Sequence, residues 1–526
     1  MAKNLINIVS CLLLVLATFG VNITLATSYE LPKVIYPNAN PKNENKRILG
    51  KILFWEEQLA TDNSIACGSC HLPAFSGADK RFGLAPGFDN QLNTKDDVIG
   101  SIGVVNRDHL GGIIKHPIYG NNQQVTDRSA QPFFLSLWAN ELFWDGRAKS
   151  KFIGPDDNSI VIPYGGALEN QALGPLTSSV EMAKQGQLPS EIINKLTYSK
   201  PLALADNFPD DIQVQLKKHP NYSELFKAAF GDDTINITRI AMAIANYERS
   251  LIANQTLWDK AMKGEAELPY LENLGWEYFK QSGCQTCHTP PLFTDNKFYN
   301  IGIKGRNTDK GRQNVSLNDK DIGAMKVPSL RNVGLKTTYM HTGQFSNLDQ
   351  VFDAYANVPF KDMASQLPSG EKYDFQFREN QRRAIIAFLT NALTDERVKN
   401  ELFPFDRPKL RSELTSQLKG HTEQLVFTEL SAKLNSNNQV EITWQLNIET
   451  LKGYDLEIVR NDGRHFWVTQ APFIDFFSKA GQHYQYEIML RQPDFTIIQK
   501  QKVAISTQAE KTLFNKITDY WFHSNE

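Results

Sequence analysis

The sequence predicts a mainly α-helical chain in which two similar helical units are followed by an all-β unit. Three observations predict it: a cysteine motif that occurs twice, a matching apolar stretch before each copy, and a change in apolar period from about 3.6 to about 2 beyond residue 405. At 526 residues, with 41% hydrophobic and 11% aromatic content, the composition is that of a globular protein. At roughly 100–200 residues per domain this length suggests about three domains. The formal net charge of −2, from 56 basic and 58 acidic residues, supplies no basic field, so no nucleic-acid partner is expected.

Residues 1–26 read as an export leader. Lys3 supplies the basic start, Ile8 to Val21 the apolar stretch and Thr24-Leu25-Ala26 the small-residue cleavage site, so the mature chain is expected to begin near Thr27. Cys11 precedes most of the apolar stretch, which argues against lipid attachment. No later segment approaches the ~18–20 uninterrupted apolar residues of a bilayer span, so no transmembrane anchor is expected in the mature chain. The expected location is the periplasm.

Without Cys11, four cysteines remain, all in Cys67-Gly68-Ser69-Cys70-His71 and Cys284-Gln285-Thr286-Cys287-His288. Both are C-x-x-C-H, the attachment signature of c-type haem. Two thiols three positions apart form thioethers to the two vinyl groups of one haem, and the adjacent imidazole then ligates its iron. Two structural disulfides, or a four-cysteine zinc site, are the alternatives for an exported chain. Neither requires a histidine after each pair, and so two covalently bound c-type haems are expected.

The units follow from the flanks. Ile48-Leu49-Gly50-Lys51-Ile52-Leu53-Phe54 precedes the first motif and Leu274-Gly275-Trp276-Glu277-Tyr278-Phe279 the second, each an apolar stretch at helical spacing. They predict two small cytochrome-c-like haem domains, with helix through most of residues 45–405. Thr238 to Leu257 places Ile240, Ile244, Tyr247 and Leu251 at helical spacing and suggests a helix packed toward the second domain. Beyond Phe403-Pro404-Phe405-Asp406-Arg407-Pro408, the segments 440–444, 454–459 and 484–490 alternate apolar and polar, with Asn461-Asp462-Gly463 as a turn. They resemble a fibronectin III/Ig-like sandwich, with Trp444, Tyr484 and Tyr486 in its core. Leu513, Phe514, Ile517, Tyr520 and Trp521 share one face of a helical tail. The boundaries expected are 1–26 leader, 27–255 first haem domain, 256–405 second haem domain, 406–420 linker, 421–507 sandwich and 508–526 tail.

Several separated segments within residues 45–405 resemble the bacterial di-haem cytochrome c peroxidase and MauG family. They are Phe143-Trp144-Asp145-Gly146-Arg147-Ala148, Gln171-Ala172-Leu173-Gly174-Pro175 followed by Glu181-Met182, and Val327-Pro328-Ser329-Leu330-Arg331-Asn332-Val333 followed by Tyr339-Met340-His341. The resemblance implies that the first haem meets hydrogen peroxide and the second passes electrons. It implies that Gln171 and Glu181 lie in the pocket of the first haem, with Glu181 as acid/base group, and that Trp144 lies between the haems as an electron relay. Lys149 to Gly166 departs from the family as an insertion expected near that pocket, to cover it or to meet a partner.

The iron ligands discriminate within the family. Conventional members carry a His in a loop after the first motif, which blocks the first iron until the other haem is reduced; here Ser101-Ile102-Gly103-Val104 resembles that loop and Val104 stands in place of the His. His109 and His116 are the nearby alternatives. The second haem's far ligand is Met in conventional peroxidases and Tyr in MauG; fourteen residues after His341 stands Tyr355, with Met363 out of register. A phenolate is a hard anionic donor that stabilises ferric iron and lowers the potential. His341 is expected to be a structural or haem-edge residue. The family's calcium ion implies the backbone carbonyls of Lys336 and Thr338 as ligands, while the family's Asn donor is replaced within Arg128 to Pro132. Hydrogen peroxide is therefore the expected substrate. The expected partner is a protein substrate, as for MauG, or a small cytochrome c or cupredoxin electron donor, and a plain electron-transfer cytochrome is the remaining alternative.

Overall fold

Helices dominate the first two units because each apolar stripe finds a partner helix, and they meet at the two glycines of the duplicated stretch. A computed structural model describes residues 29–302, 309–357, 375–414, 427–446, 454–492 and 497–507. The expected leader, Met363, the end of the linker and the tail from 508 lie outside the described residues.

In the first unit α1 (Glu44–Phe54) starts where the Asn43 side chain accepts the Lys46 backbone N–H, with Glu44 in the first turn and Lys51 in the last, matching the helix dipole. Its stripe of Ile48, Leu49, Ile52 and Leu53 is buried. The other main helices here are α2 (Ala167–Thr177), α3 (Pro189–Thr197), α4 (Asp210–Lys218), α5 (Tyr222–Phe230) and α6 (Ile237–Glu248). Ile240, Ile244, Tyr247 and Leu251 belong to the same core as α1. This corrects the expectation that this helix packs toward the second domain. The physical reason is Gly50: a Cβ there would stand 1.9 Å from the Ala243 carbonyl oxygen, so only glycine lets the two backbones cross so closely.

The second unit repeats the device. In α7 (Tyr270–Gln281), a Cβ on Gly275 would stand 2.0 Å from the Ala384 carbonyl oxygen of α9 (Glu379–Ala387), and α8 (Leu348–Ala356) lies between them in sequence. Trp276, Phe279, Phe293 and Phe388 form its core. Helix is not continuous through residues 45–405. Short antiparallel pairs interrupt it: β1 (Gly83–Ala85) with β2 (Val98–Gly100), β3 (Ile102–Val105) with β4 (Gln123–Val125), β5 (Phe152–Ile153) with β6 (Ile160–Ile162), and β7 (Phe298–Tyr299) with β8 (Met325–Lys326).

The third unit is β throughout its described residues. Strands β9 (Phe427–Leu434), β10 (Val440–Leu446), β11 (Asp455–Arg460), β12 (His465–Val468), β13 (Phe473–Asp475), β14 (His483–Arg491) and β15 (Ile497–Ser506) form two antiparallel sheets, in the orders β13-β10-β9 and β12-β11-β14-β15. Val440, Ile442 and Trp444 from one sheet meet Ile458, Tyr486 and Ile488 from the other in one core. The Tyr484 hydroxyl accepts the Lys479 backbone N–H at 2.8 Å, and the Tyr486 hydroxyl donates to Asp475 at 2.6 Å. These aromatics are core, as the alternation predicts. Among the described residues no helix is long and apolar enough to cross a membrane.

Candidate functional site

The first cysteine motif folds as one helical turn, Cys67–Cys70, whose start is fixed by the Ser69 hydroxyl accepting the Ala66 N–H at 2.9 Å. It borders a cavity of about 920 Å³, with Cys67, Cys70 and His71 in the wall. His71 Nδ1 lies 3.0 Å from the Gly77 carbonyl oxygen. A carbonyl only accepts, so Nδ1 carries the proton and the Nε2 lone pair is left for a metal. Burial lowers the pKa of His71 against the Gly77 contact, which keeps the ring neutral.

Gln171 from α2, Glu181 from the turn that follows it, and Arg147 line the same cavity. The Glu181 N–H donates to the Ser178 carbonyl at 3.2 Å, which closes that turn. Burial raises the pKa of Glu181, opposed by the charge of Arg147 and the Ser178 hydroxyl. Such a carboxyl exchanges a proton closer to neutrality than an exposed one. Val104 is fully buried in the core of the first unit, and its N–H donates to the Val180 carbonyl at 3.1 Å. The member of its segment that lines the cavity is Ser101.

The two alternative histidines differ. His109 is not among the lining residues, and its carbonyl accepts Lys184 Nζ at 2.7 Å. His116 does line the cavity, but its Nδ1 accepts the backbone N–H of Ile118 and Tyr119 at 3.1 and 3.2 Å. The neutral ring then carries its proton on Nε2, which is thereby a donor and not a metal ligand. The insertion does not cover the cavity. Phe152 and Ile162 are buried in the core, and the Asp156 carboxylate accepts the N–H groups of Ile237 and Thr238 at the start of α6.

The second motif borders a cavity of about 230 Å³ with Cys284, Cys287 and His288 in its wall. His288 Nδ1 lies 3.2 Å from the Phe293 carbonyl and 3.1 Å from that of Pro328, so its Nε2 is also left free. This gives the Val327 to Val333 segment a physical role. Pro328 orients the imidazole, while Arg331 holds the segment by a buried bidentate pair with Asp259 at 2.8 and 2.7 Å. Tyr355, in the last turn of α8, lines this cavity, and burial raises its hydroxyl pKa with a further contribution from Cys284 and Cys287.

Trp144 is in the wall of both cavities. Its indole N–H donates to the Ser129 carbonyl at 2.8 Å, its own carbonyl accepts the Lys326 N–H at 2.8 Å, and its ring lies 6.1 Å from that of His341. His341 lines the second cavity. Arg128 clamps the units together by pairing with Asp145 and Asp309, each at 2.7 Å.

Among the described residues the four thiols are unpaired, and the two pairs border different cavities and not a common one. Each cavity therefore offers two thiols and one imidazole with a carbonyl-bound Nδ1, the donor set that fits a covalently held haem. The Lys336 carbonyl accepts the Tyr339 hydroxyl at 3.1 Å, and Lys336 lines the second cavity, its pKa pushed down to about 8 by burial.

Sequence reasoning missed Glu248. It lines the first cavity, is 3% exposed, and its Oε2 has no hydrogen-bond partner among the described residues. Burial pushes its pKa up to about 8 against the charge of Arg249. The available signal was its register: it continues the Ile240, Ile244 stripe by one further turn.

Residues 44–267 match the family model for di-haem cytochrome c peroxidase. The methylamine utilization protein MauG of Methylorubrum extorquens is 28% identical over 370 residues, covering 68% of this chain and 80% of that protein. The cytochrome-c peroxidase IdrP1 of Denitromonas iodatirespirans is 28% identical over 364 residues, covering 62% and 76%. The cytochrome c551 peroxidase of Nitrosomonas europaea is 25% identical over 364 residues, covering 68% and 82%. With a haem-attachment motif in the wall of each cavity, the chain is similar to the di-haem cytochrome c peroxidases and MauG proteins, whose family model matches residues 44–267.

Proposed function

We propose that this chain is an exported di-haem peroxidase that reduces hydrogen peroxide at its first cavity and, in the manner of MauG, couples that reaction to oxidation of a partner protein. The observation that carries the reading is that His71, Gln171, Glu181 and Arg147 border one cavity, which shares Trp144 with the cavity of His288 and Tyr355. Two c-type haems are attached at Cys67 and Cys70 and at Cys284 and Cys287, with His71 and His288 as iron ligands. When bound, they would supply the redox equivalents for splitting the peroxide O–O bond. Each peroxide consumes two electrons and two protons and yields two waters.

The chain's own residues manage the protons. Glu181 takes the proton from the nearer peroxide oxygen and returns it to the leaving oxygen, a role suited to a carboxyl whose pKa burial has raised. Gln171 orients the substrate, and the positive charge of Arg147 keeps Glu181 available as a base. Trp144, with its indole fixed by Ser129, divides the transfer between the cavities into two shorter steps.

Two features favour the MauG-like reading over a conventional peroxidase fed by a small cytochrome c or cupredoxin. Tyr355 lines the second cavity, and His116 is committed through Nδ1 to its own turn, so that it would not serve as a second histidine ligand in the first cavity. The strand orders β13-β10-β9 and β12-β11-β14-β15 support a fibronectin III/Ig-like sandwich. The leader-like residues 1–26 and c-type haem attachment support a periplasmic location.

Electron paramagnetic resonance of the fully ferric protein tests the assignment. One high-spin and one low-spin haem are expected, with the low-spin signal changed in Tyr355→Phe and Tyr355→Met. Two low-spin haems in the wild type would favour the conventional peroxidase.

A further inference from the structure

The β-unit is joined to the first unit by a polar interface. Arg411 pairs with Asp455 of β11, donates Nη2 to the Asn63 carbonyl at 3.0 Å, and its backbone N–H donates to Glu57 at 2.8 Å. Gln470 donates to the Tyr198 carbonyl at 2.6 Å, and Arg464 meets Glu191 at 3.4 Å.

One strand of this interface bears on the segment that carries Glu181. The His465 N–H of β12 donates to the Leu110 carbonyl at 2.8 Å, and the Trp467 ring lies 4.1 Å from the Arg107 guanidinium carbon. Gly111 closes against both, at φ +95°; a Cβ there would stand 3.3 Å from the Trp467 ring, so the loop 106–112 is moulded to the strand. Arg107 is 1% exposed and spans the junction: its guanidinium donates to Asp62 at 3.2 Å and to the Gly111 carbonyl at 3.1 Å.

The same loop and the same stretch around Asp62 hold residues 180–185. The Gln185 N–H donates to the Arg107 carbonyl at 3.1 Å, Lys184 Nζ to the His109 carbonyl at 2.7 Å, and the Val104 N–H to the Val180 carbonyl at 3.1 Å. From the other direction the Thr61 N–H donates to the Met182 carbonyl, and the Lys184 N–H to the Thr61 hydroxyl, both at 2.8 Å. Glu181 is thus carried on a turn gripped by two segments that share the Arg107–Asp62 pair, and Trp467 covers that pair.

We propose that the β-unit is a brace for the first cavity, and that Trp467, through Arg107, is a positioning residue for the turn bearing Glu181. The cation–π contact desolvates the Arg107–Asp62 pair, where both the attraction and its directionality are stronger than in water. The β-unit then supports the reaction site from outside, since none of its described residues lines the cavity. Its catalytic consequence rests on the role proposed for Glu181; its positional consequence does not.

Hydrogen exchange followed by mass spectrometry on the full-length, haem-loaded protein separates the two. In Trp467→Ala, peptides covering 104–112 and 180–187 are expected to exchange at least about tenfold faster, Trp467→Phe to restore most of the protection, and peptides of the second unit to be unchanged. The reaction of the ferric protein with peroxide is expected to slow in Trp467→Ala together with a shift in its pH profile, whereas Glu181→Gln slows the reaction without raising exchange. If Trp467→Ala releases the β-unit altogether, faster exchange at 180–187 is still required. Wild-type protection at 180–187 in Trp467→Ala overturns the proposal. Raised exchange together with a wild-type rate in Glu181→Gln leaves the brace standing and overturns the role of Glu181.

Discussion

Burial decides what the carboxyl groups around the first cavity can do, and it acts on each residue separately. Glu181 is offset by Arg147 and the Ser178 hydroxyl, whereas Glu248 has only Arg249 to oppose the loss of water. An unfolded chain releases the Glu248 proton near 4.5, and the folded one retains it until about 8. Between those values the folded state binds more protons, so this group lowers stability as pH rises, by roughly 1.4 kcal/mol per pH unit. Glu248→Gln is expected to raise the urea midpoint at pH 8, to leave it nearly unchanged at pH 4.5, and to flatten the slope between. An unaltered slope would mean that the carboxyl finds a partner once haem is attached. The residues that were legible in the sequence are those fixed by local chemistry, such as Cys67, Cys70 and His71, where spacing alone dictates the donor set. Glu248 was not, because its environment is made by helices and loops distant in the chain.

At the scale of elements, the duplicated stretches before each motif explain the two helical units better than their apolar content does. Gly50 and Gly275 occupy equivalent places, and each lets its helix cross a later one at a separation that no side chain permits. Alanine at either position forces the pair apart, and overpacking of this kind costs about 1–3 kcal/mol, more when backbone must move. Gly50→Ala is expected to lower the melting transition and haem retention of the first unit, and Gly275→Ala those of the second, with haem counted by pyridine haemochrome assay. Equal loss at both sites from either change would contradict two separate cores. The apolar period identifies α1 and α7 but not the partner of α6, since a stripe of Ile240, Ile244 and Tyr247 says that a helix is half-buried and not which neighbour covers it. The hairpins β1 to β8 were missed for a related reason. Their strands are two to four residues long, too short for a period of two to register.

For the molecule as a whole, the order of the units was legible because the apolar period changes once, near Pro404 and Pro408, and changes completely. What the order could not reveal is that the third unit folds back onto the first. Phe405 and Leu410 join the first core, and Arg411 then ties the start of the β-unit to Asn63 and Glu57. The Trp144 segment likewise gains its place from contacts with residues that follow it by well over a hundred positions, through the Lys326 N–H and the Arg128–Asp309 pair. These long-range contacts place Trp144 in the walls of both cavities, the arrangement on which the proposed peroxidase reading rests. The account is tested most directly by mixing the fully ferric protein with hydrogen peroxide in a stopped-flow spectrometer. It predicts that the first haem reacts at once, with no prior reduction, and that Glu181→Gln slows the reaction by about 10²–10⁴-fold while both haems remain attached. A wild type that reacts only after its second haem has been reduced, or a Glu181→Gln variant as fast as the wild type, would contradict it.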